Sequence, residues 1–129
     1  VDVIIKPVRI VARGSTERFA VSDKYIGQVL DYIDENYRNP LSVDDLIRII
    51  PYSRRVLEKK FKGETGMSVY QYIQQQRIDK FASLLIATHL PLVEAAANAG
   101  FTDYKNISRI FVKMKGMTPL QYRKRFAIR

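Results

Sequence analysis

The chain has 129 residues, 47% of them hydrophobic, which is enough to bury one core or two small ones and argues against disorder. The absence of cysteine excludes a disulfide framework and thiolate metal sites, and no apolar run reaches the roughly 18 residues that would cross a bilayer. The net charge of +9 predicts a polyanionic partner, with nucleic acid favoured over a membrane surface.

The first 23 residues differ in pattern from the rest. Residues 3–13 are rich in β-branched side chains and predict one strand or two short ones, while residues 14–23 have the composition of a linker. A lone hairpin is not stable in water. We therefore expect residues 1–23 to be the C-terminal remnant of an upstream sensor domain plus a linker, and residues 24–129 to be the folded domain.

From Lys24 onward, hydrophobic residues recur at helical spacing, and the predicted fold class is all-α. The predicted helices, in chain order, start at Lys24, after the caps Ser42 and Ser53, at Ser68, and after Pro91, Asp103 and Thr118. Their predicted ends are before Asn39, at Pro51, at Gly63 and Gly66, at about Thr88, and at Gly100.

A repeat lies within the helical part, because GMSVYQY at 66–72 returns as GMTPLQY at 116–122. Helix capping explains the shared hydroxyl and glutamine of each copy. It does not explain the match upstream, where each copy follows a short helix, a tight turn and a helix whose cap precedes a phenylalanine by eight residues. Two helices joined by a short turn form a helix-turn-helix unit, so the sequence predicts two such units.

The outward face of the second helix in each unit is basic. Taking Leu57 and Ile107 as the inward directions, with about 100° of rotation per residue, defines this face. The outward positions are Arg55, Lys59 and Lys62 in the first unit and Lys105 and Arg109 in the second, with Glu58 and Ser108 at the side. Because Arg and Lys can donate to guanine O6 and N7, two equivalent basic faces favour major-groove reading over a merely solvated surface.

The long helix that starts at Ser68 is predicted to be about 20 residues, hence roughly 30 Å, in length. This is close to the distance of about 34 Å between successive major-groove faces of B-DNA. We expect the two recognition helices to enter adjacent major-groove turns. The expected core positions of the long helix are Tyr72, Ile73, Ile78, Ala82 and Leu85. The polar side chains expected to face solvent or phosphate are Gln74, Gln75, Gln76 and Lys80.

The stretch starting LSVDDLIRII and the pattern GF-x-D-x5-R-x-F-x4-GMTP-x2-YR in residues 100–123 resemble the AraC/XylS family of bacterial transcription regulators. That resemblance, over about residues 25–126, implies two helix-turn-helix subdomains joined by a long linker helix. It implies DNA contacts from Arg54, Arg55, Glu58, Lys59, Tyr104, Lys105, Ser108 and Arg109. We expect phosphate contacts from Ser53, Lys62, Lys113 and Lys115. For Glu58, acceptance from cytosine N4 and an ion pair with Lys62 both remain open.

The first unit departs from the family pattern at Ile47, Ile50 and Pro51, where two alanines and a glycine are usual, so its helix pair is expected to dock differently. The surrounding residues resemble the xylose-operon-regulator subgroup. That likeness implies an upstream sugar-binding domain, a pentose or related inducer, activation of sugar-utilisation genes, RNA polymerase as a partner, and a cytoplasmic, nucleoid-associated location. The operator, the inducer, the sign of regulation and the oligomeric state stay open.

The two rival functions are an enzyme and a helical protein-interaction module. An enzyme would have to use the single histidine, His89, which has no second metal ligand at useful spacing, so we predict no catalysis, no metal and no cofactor. A helical protein-interaction module without specific DNA binding is the alternative. Steep weakening of DNA binding with salt would distinguish the predicted promoter-binding domain from that module.

Overall fold

A computed structural model describes residues 21–127, and every regular element within that range is an α-helix. The helices are α1 Lys24–Asn36, α2 Val43–Ile47, α3 Arg54–Thr65, α4 Val69–Ala87, α5 Leu92–Asn98, α6 Tyr104–Lys115 and α7 Pro119–Phe126. The predicted all-α class and its long central helix are confirmed. The strand predicted in residues 3–13 lies outside the described residues, and the domain boundary at residue 23 stays a prediction.

The described chain divides into two compact units. Unit 1 contains the described residues up to Asn36 together with Leu41–Tyr72, and unit 2 contains Tyr37–Pro40 together with the chain from Ile73 onward. Helix α4 begins in unit 1 and continues without interruption into unit 2. Each unit therefore has its own helix-turn-helix pair, α2 with α3 in unit 1 and α5 with α6 in unit 2.

The core of unit 1 is formed by one face of α1 against the helices that follow it. Its fully buried side chains are Ile26, Val29, Leu30, Ile33, Leu46, Leu57, Phe61, Val69 and Tyr72. The rings of Phe61 and Tyr72 meet edge to face with centroids 5.8 Å apart. The Tyr72 hydroxyl donates to Asp34 at 2.9 Å, which satisfies the polar end of a ring that is otherwise buried.

The core of unit 2 is centred on the second half of α4. Its buried residues are Ile78, Phe81, Ala82, Leu85, Ala95, Ala96, Ala99, Ile107 and Phe111. Phe81, which was not among the predicted core positions of α4, packs edge to face on Phe111 with centroids 5.5 Å apart. Because α4 contributes to both cores, its apolar residues do not follow the single stripe on which that prediction relied.

The segment Tyr37–Pro40 belongs to unit 2 and is held there by hydrogen bonds and by a close backbone approach, including a bond from Arg38 Nε to the Asn98 carbonyl at 2.8 Å. Arg77 donates from Nε to the Tyr37 carbonyl at 2.6 Å and from Nη2 to the Asn39 carbonyl at 3.1 Å. Gly100, with φ +101°, approaches so closely that an added Cβ would lie 2.8 Å from the Tyr37 carbonyl oxygen. A glycine is thus required at position 100 by both its conformation and its surroundings.

Three helix ends differ from prediction, those of α1, α2 and α3. Helix α3 continues through Gly63 and ends at Thr65, because one glycine costs only about 1 kcal/mol while Phe61 and Thr65 on either side are buried. The C-cap that follows Thr65 is Gly66, whose φ of 79° places it in the left-handed region. Helix α1 ends at Asn36, before the predicted end ahead of Asn39. Helix α2 ends at Ile47, before the predicted end at Pro51.

In the described part of the chain, no helix combines the length and apolar character that crossing a membrane would need. Among those same residues there is no group of three or more His, Cys, Asp or Glu side chains that could hold a metal ion.

Candidate nucleic-acid interface

The second helices of the two helix-turn-helix pairs, α3 and α6, correspond position by position in length and termination. Each has 12 residues and starts 50 positions from its counterpart. Each ends on a glycine in the left-handed region, Gly66 at φ 79° and Gly116 at φ 80°. The glycine N–H donates to the carbonyl four residues earlier, at 2.8 Å in α3 and 2.9 Å in α6. The repeat in the sequence therefore produces two helices of the same length and termination.

The starts of both helices are fixed by the caps that the sequence predicted. The Ser53 hydroxyl accepts from the Val56 N–H at 3.3 Å. The Asp103 carboxylate accepts from the N–H groups of Lys105 at 3.1 Å and Asn106 at 3.4 Å. A capped helix start has a defined direction and carries partial positive charge, which suits it to approach a phosphate backbone.

In unit 1 all four predicted base-contacting side chains, Arg54, Arg55, Glu58 and Lys59, are exposed on α3. Arg54 Nε lies 3.7 Å from Glu58 Oε2, with side-chain exposures of 62% and 46%. Glu58 thus pairs with Arg54 in this structure, and its acceptance from cytosine N4 stays a prediction. An i,i+4 pair this exposed contributes only a few tenths of a kcal/mol, so DNA can replace it at little cost.

In unit 2 the four predicted side chains fall into two classes. Lys105 and Arg109 are exposed, whereas Tyr104 and Ser108 are half-buried. The Tyr104 ring packs edge to face on Phe81 with centroids 6.5 Å apart, and burial raises the pKa of its hydroxyl. Tyr104 therefore belongs partly to the core of unit 2.

The four predicted phosphate contacts also divide. Ser53, Lys62 and Lys113 are exposed. Lys115 is half-buried, and its Nζ lies 3.1 Å from Asp79 Oδ1, an ion pair between α6 and α4 within unit 2. This pair occupies the ammonium group of Lys115, so Lys62 and Lys113 are better placed to meet a phosphate.

The polar side chains in the middle of the long helix α4 are less exposed than expected. Gln74, Gln75, Gln76 and Lys80 are all half-buried. The Gln76 amide nitrogen is buried, and no residue that the structure describes accepts a hydrogen bond from it. The expectation that these four side chains face solvent or phosphate is therefore wrong for Gln76.

The turns that precede α3 and α6 differ, and the different docking expected from Ile47, Ile50 and Pro51 stays a prediction. Helix α2 has five residues and ends at Ile47, whereas α5 has seven. Pro51 disfavours helical geometry at Ile50, so α2 cannot continue through this turn into α3. The counterpart of Pro51 in unit 2 is Gly100, which follows the longer helix.

Two exposed positions on these helices were missed by the sequence reasoning. Val56 on α3 and Asn106 on α6 occupy equivalent places and are both exposed. The same rotation of about 100° per residue puts them on the flank opposite Glu58 and Ser108, so the signal was present. An asparagine there can pair with adenine N6 and N7, and a valine can contact a thymine methyl group.

A protein-family model described as a helix-turn-helix domain matches residues 46–125. The xylose operon regulatory protein of Escherichia coli (strain K12) is 31% identical over 121 residues, which cover 94% of this chain and 31% of that protein. The multiple antibiotic resistance protein MarA of Salmonella typhimurium is 32% identical over 98 residues, covering 76% of this chain and 77% of that protein.

Among solved structures, a transcriptional regulator from Chromobacterium violaceum, described as containing an AraC-type DNA-binding domain, matches with a TM-score of 0.74 at 26% identity. The match covers 81% of this chain and 93% of that one. The chain spans about a third of the length of the xylose operon regulatory protein and three quarters of MarA. These relatives are transcription regulators or their DNA-binding domains, and none of the three is an enzyme by its description.

Proposed function

Since this chain belongs to the AraC family as a helix-turn-helix DNA-binding domain of transcription regulators, we propose that both of its units read promoter DNA. In this proposal α3 and α6 each enter a major groove, and the turns before them approach the backbone. The observation that carries the proposal is that two capped helices of equal length and equal termination each have exposed cations at two equivalent positions, Arg55 with Lys105 and Lys59 with Arg109. An interaction module would not require the same basic face twice.

Base reading is assigned to the side chains with the greatest reach. Arg55 and Arg109 are proposed to donate to guanine O6 and N7, supported by their exposure on the outward faces. Lys59 and Lys105, at the counterpart positions, extend the same two faces. Glu58 is proposed to accept from cytosine N4, which would require it to exchange its exposed pair with Arg54.

The remaining members of the proposed interface act on the backbone or at its edge. Arg54, Tyr104 and Ser108 are proposed to contact sugar or base edges beside the main readers. Backbone phosphates are proposed to be met by Ser53, Lys62, Lys113 and Lys115, with Lys115 contributing least because Asp79 already holds it. Such contacts supply affinity and salt dependence without carrying sequence information.

The setting of the domain is proposed from its relatives. One of them is named a xylose operon regulatory protein, and the 31% identity extends over 94% of this chain. We propose that the chain activates sugar-utilisation genes, that a sugar acts through an upstream domain, and that RNA polymerase is the partner at the promoter. A cytoplasmic, nucleoid-associated location is part of the same proposal.

A salt titration on duplex DNA tests the proposal. A site selected in vitro with the full chain would be titrated in mobility-shift assays between 50 and 200 mM salt. With about 6–10 phosphate contacts, affinity should fall on the order of a thousandfold. An affinity that does not change with salt, or no enrichment of any sequence during selection, would favour the protein-interaction module instead.

A further inference from the structure

The chain that enters unit 1 is hydrogen bonded to the recognition helix α3. Glu64, in the last turn of α3, accepts three hydrogen bonds at Oε1 from the residues just before α1. The donors are the Ser22 N–H at 2.8 Å, the Ser22 hydroxyl at 3.0 Å and the Asp23 N–H at 2.9 Å. One carboxylate oxygen thus holds both residues of this segment, which we term the entering segment (Ser22–Asp23).

The entering segment has a second attachment through the Asp23 carboxylate. The Tyr52 hydroxyl, in the turn before α3, donates to Asp23 Oδ2 at 2.6 Å, and Lys60 Nζ on α3 lies 3.8 Å from the same oxygen. Asp23 also accepts from the Tyr25 N–H at 2.8 Å, so it fixes the start of α1 as well. The entering segment is therefore connected to the turn before α3 and to the last two turns of α3.

These attachments lie on the side of α3 that faces away from the proposed DNA face. Glu64 follows Leu57 by seven residues, which at about 100° per residue brings it back to nearly the same direction. Arg55 and Lys59 point the opposite way. The entering segment can therefore stay bound to α3 while α3 contacts DNA, and its loss would change how α3 is seated without removing a DNA-contacting side chain.

Unit 2 has no equivalent of this arrangement. The counterpart of Glu64 is Met114, that of Lys60 is Ile110, and that of Tyr52 is Thr102. Met114 is 41% exposed. The difference makes the attachment a property of the first recognition helix alone.

We propose that Glu64 is a positioning residue for α3, and that the entering segment, by holding Glu64, sets how unit 1 reads DNA. Residues 1–21 lead directly into this segment, so displacement of the preceding chain would reach α3 through these bonds. Both hydrogen bonds from Ser22 to Glu64 are solvent-exposed, whereas the bond from the Asp23 N–H to Glu64 is partly buried. This inference rests on the proposed DNA-reading function of α3.

The test uses the full chain with substitutions on both sides of the contact. Glu64→Ala removes the acceptor, and Ser22→Ala removes one donor without touching α3. Glu94→Ala, an exposed glutamate in the first turn of α5, is the control that changes net charge by the same amount. Glu64→Gln keeps an acceptor oxygen and should recover part of the lost effect.

The first measurement is amide hydrogen exchange without DNA, which does not depend on the proposed function. Glu64→Ala should accelerate exchange in α3 on the order of threefold to tenfold and leave α6 unchanged. Glu94→Ala should leave α3 unchanged. Equal acceleration in both helices would mean that Glu64 only stabilises the fold, and would overturn the inference.

The second measurement is footprinting and affinity on the selected DNA site. Glu64→Ala should weaken protection on the side of unit 1 on the order of threefold to tenfold, with protection by unit 2 unchanged. The Ser22→Ala and Glu64→Ala effects should be non-additive, because both break the same contact. Faster exchange in α3 with unchanged DNA reading would overturn the inference, whereas failure of the wild-type chain to bind DNA would overturn the proposed function itself.

Discussion

Units 1 and 2 contain recognition helices of the same geometry, α3 and α6, in different surroundings. Their recognition helices agree in length, in capped start and in left-handed glycine end. The turns before them do not agree, since Pro51 stands where Gly100 stands in unit 2. The comparison teaches that the geometry of a recognition helix is set by local residues, whereas its attachment to the rest of the unit is set by contacts distant in sequence.

The largest effect on this comparison is expected at Gly100. In Gly100→Ala the new Cβ would lie 2.8 Å from the Tyr37 carbonyl oxygen and 3.0 Å from the Arg38 Cα, both backbone atoms, at a φ of +101°. We expect a loss of about 3 kcal/mol in the free energy of unfolding of unit 2, measured by urea denaturation. Hydrogen exchange should place the loss in α5 and α6 rather than in α3.

Two other glycines provide the controls for that measurement. Gly116 has φ +80° but nothing within 4 Å of an added Cβ, so Gly116→Ala should lose only about 1 kcal/mol. Gly63 lies inside α3 with open space around it, and Gly63→Ala should gain about 0.5–1 kcal/mol. Similar losses at Gly100 and Gly116 would show that conformation alone, and not the contact with Tyr37, explains the requirement for glycine.

Replacement of the proposed base readers comes next in size. Arg55→Ala and Arg109→Ala should each weaken binding to the selected site by about 1–3 kcal/mol and relax preference at one base pair, at different base pairs for the two units. Competition assays with single-base variants of the site would measure this. Lys24→Ala, which removes an equal charge at the start of α1, should weaken all sequences alike if it has any effect. The same uniform weakening in the arginine variants would place Arg55 and Arg109 among the phosphate contacts.

Removal of the helix caps should lower the stability of the two units by different and smaller amounts. Asp103 accepts from two backbone N–H groups, at 3.1 and 3.4 Å, whereas Ser53 accepts from one at 3.3 Å. Asp103→Ala should therefore lose about 1–2 kcal/mol of stability and Ser53→Ala about 0.5–1 kcal/mol. Thermal unfolding of the variants, with Asp103→Asn as a cap-preserving control, would measure the order. A larger loss for Ser53→Ala would contradict it.

The features of this structure that the sequence could predict are those formed by residues within one helical turn of each other. Ser68 with Gln71 and Thr118 with Gln121 are three residues apart, and both pairs form the predicted reciprocal bonds. The outward faces of α3 and α6 likewise follow from one helical period.

What could not be predicted spans long distances in sequence. The bond from Arg77 to the Tyr37 carbonyl joins residues 40 apart, and that from Ser22 to Glu64 joins residues 42 apart. Neither has a periodic signature, because a polar side chain can meet any backbone group that the fold brings near. The arrangement of the two recognition helices in adjacent groove turns is inferred from the length of α4 alone, and it stays a prediction.

The smallest expected effect concerns the Tyr52–Asp23 bond, which unit 1 has and unit 2 lacks. The bond to Asp23 raises the pKa of Tyr52 to about 12, and the same bond is the main reason why the pKa of Asp23 lies below its usual range. Since the folded-state pKa of Tyr52 exceeds the unfolded value of 10, its stabilisation is complete below pH 10 and is lost as pH rises towards 12. The contribution of Asp23 has the opposite sense, because it is present above pH 3.8 and is lost as pH falls below that value.

In Tyr52→Phe the difference in unfolding midpoint from wild type should be constant near neutral pH and shrink between pH 10 and 12. Tyr32→Phe, which removes a hydroxyl from a half-buried side chain on α1, is the control. If the two variants showed the same dependence on pH, the attachment of the entering segment at Tyr52 would contribute nothing to the stability of unit 1, and Glu64 alone would hold it.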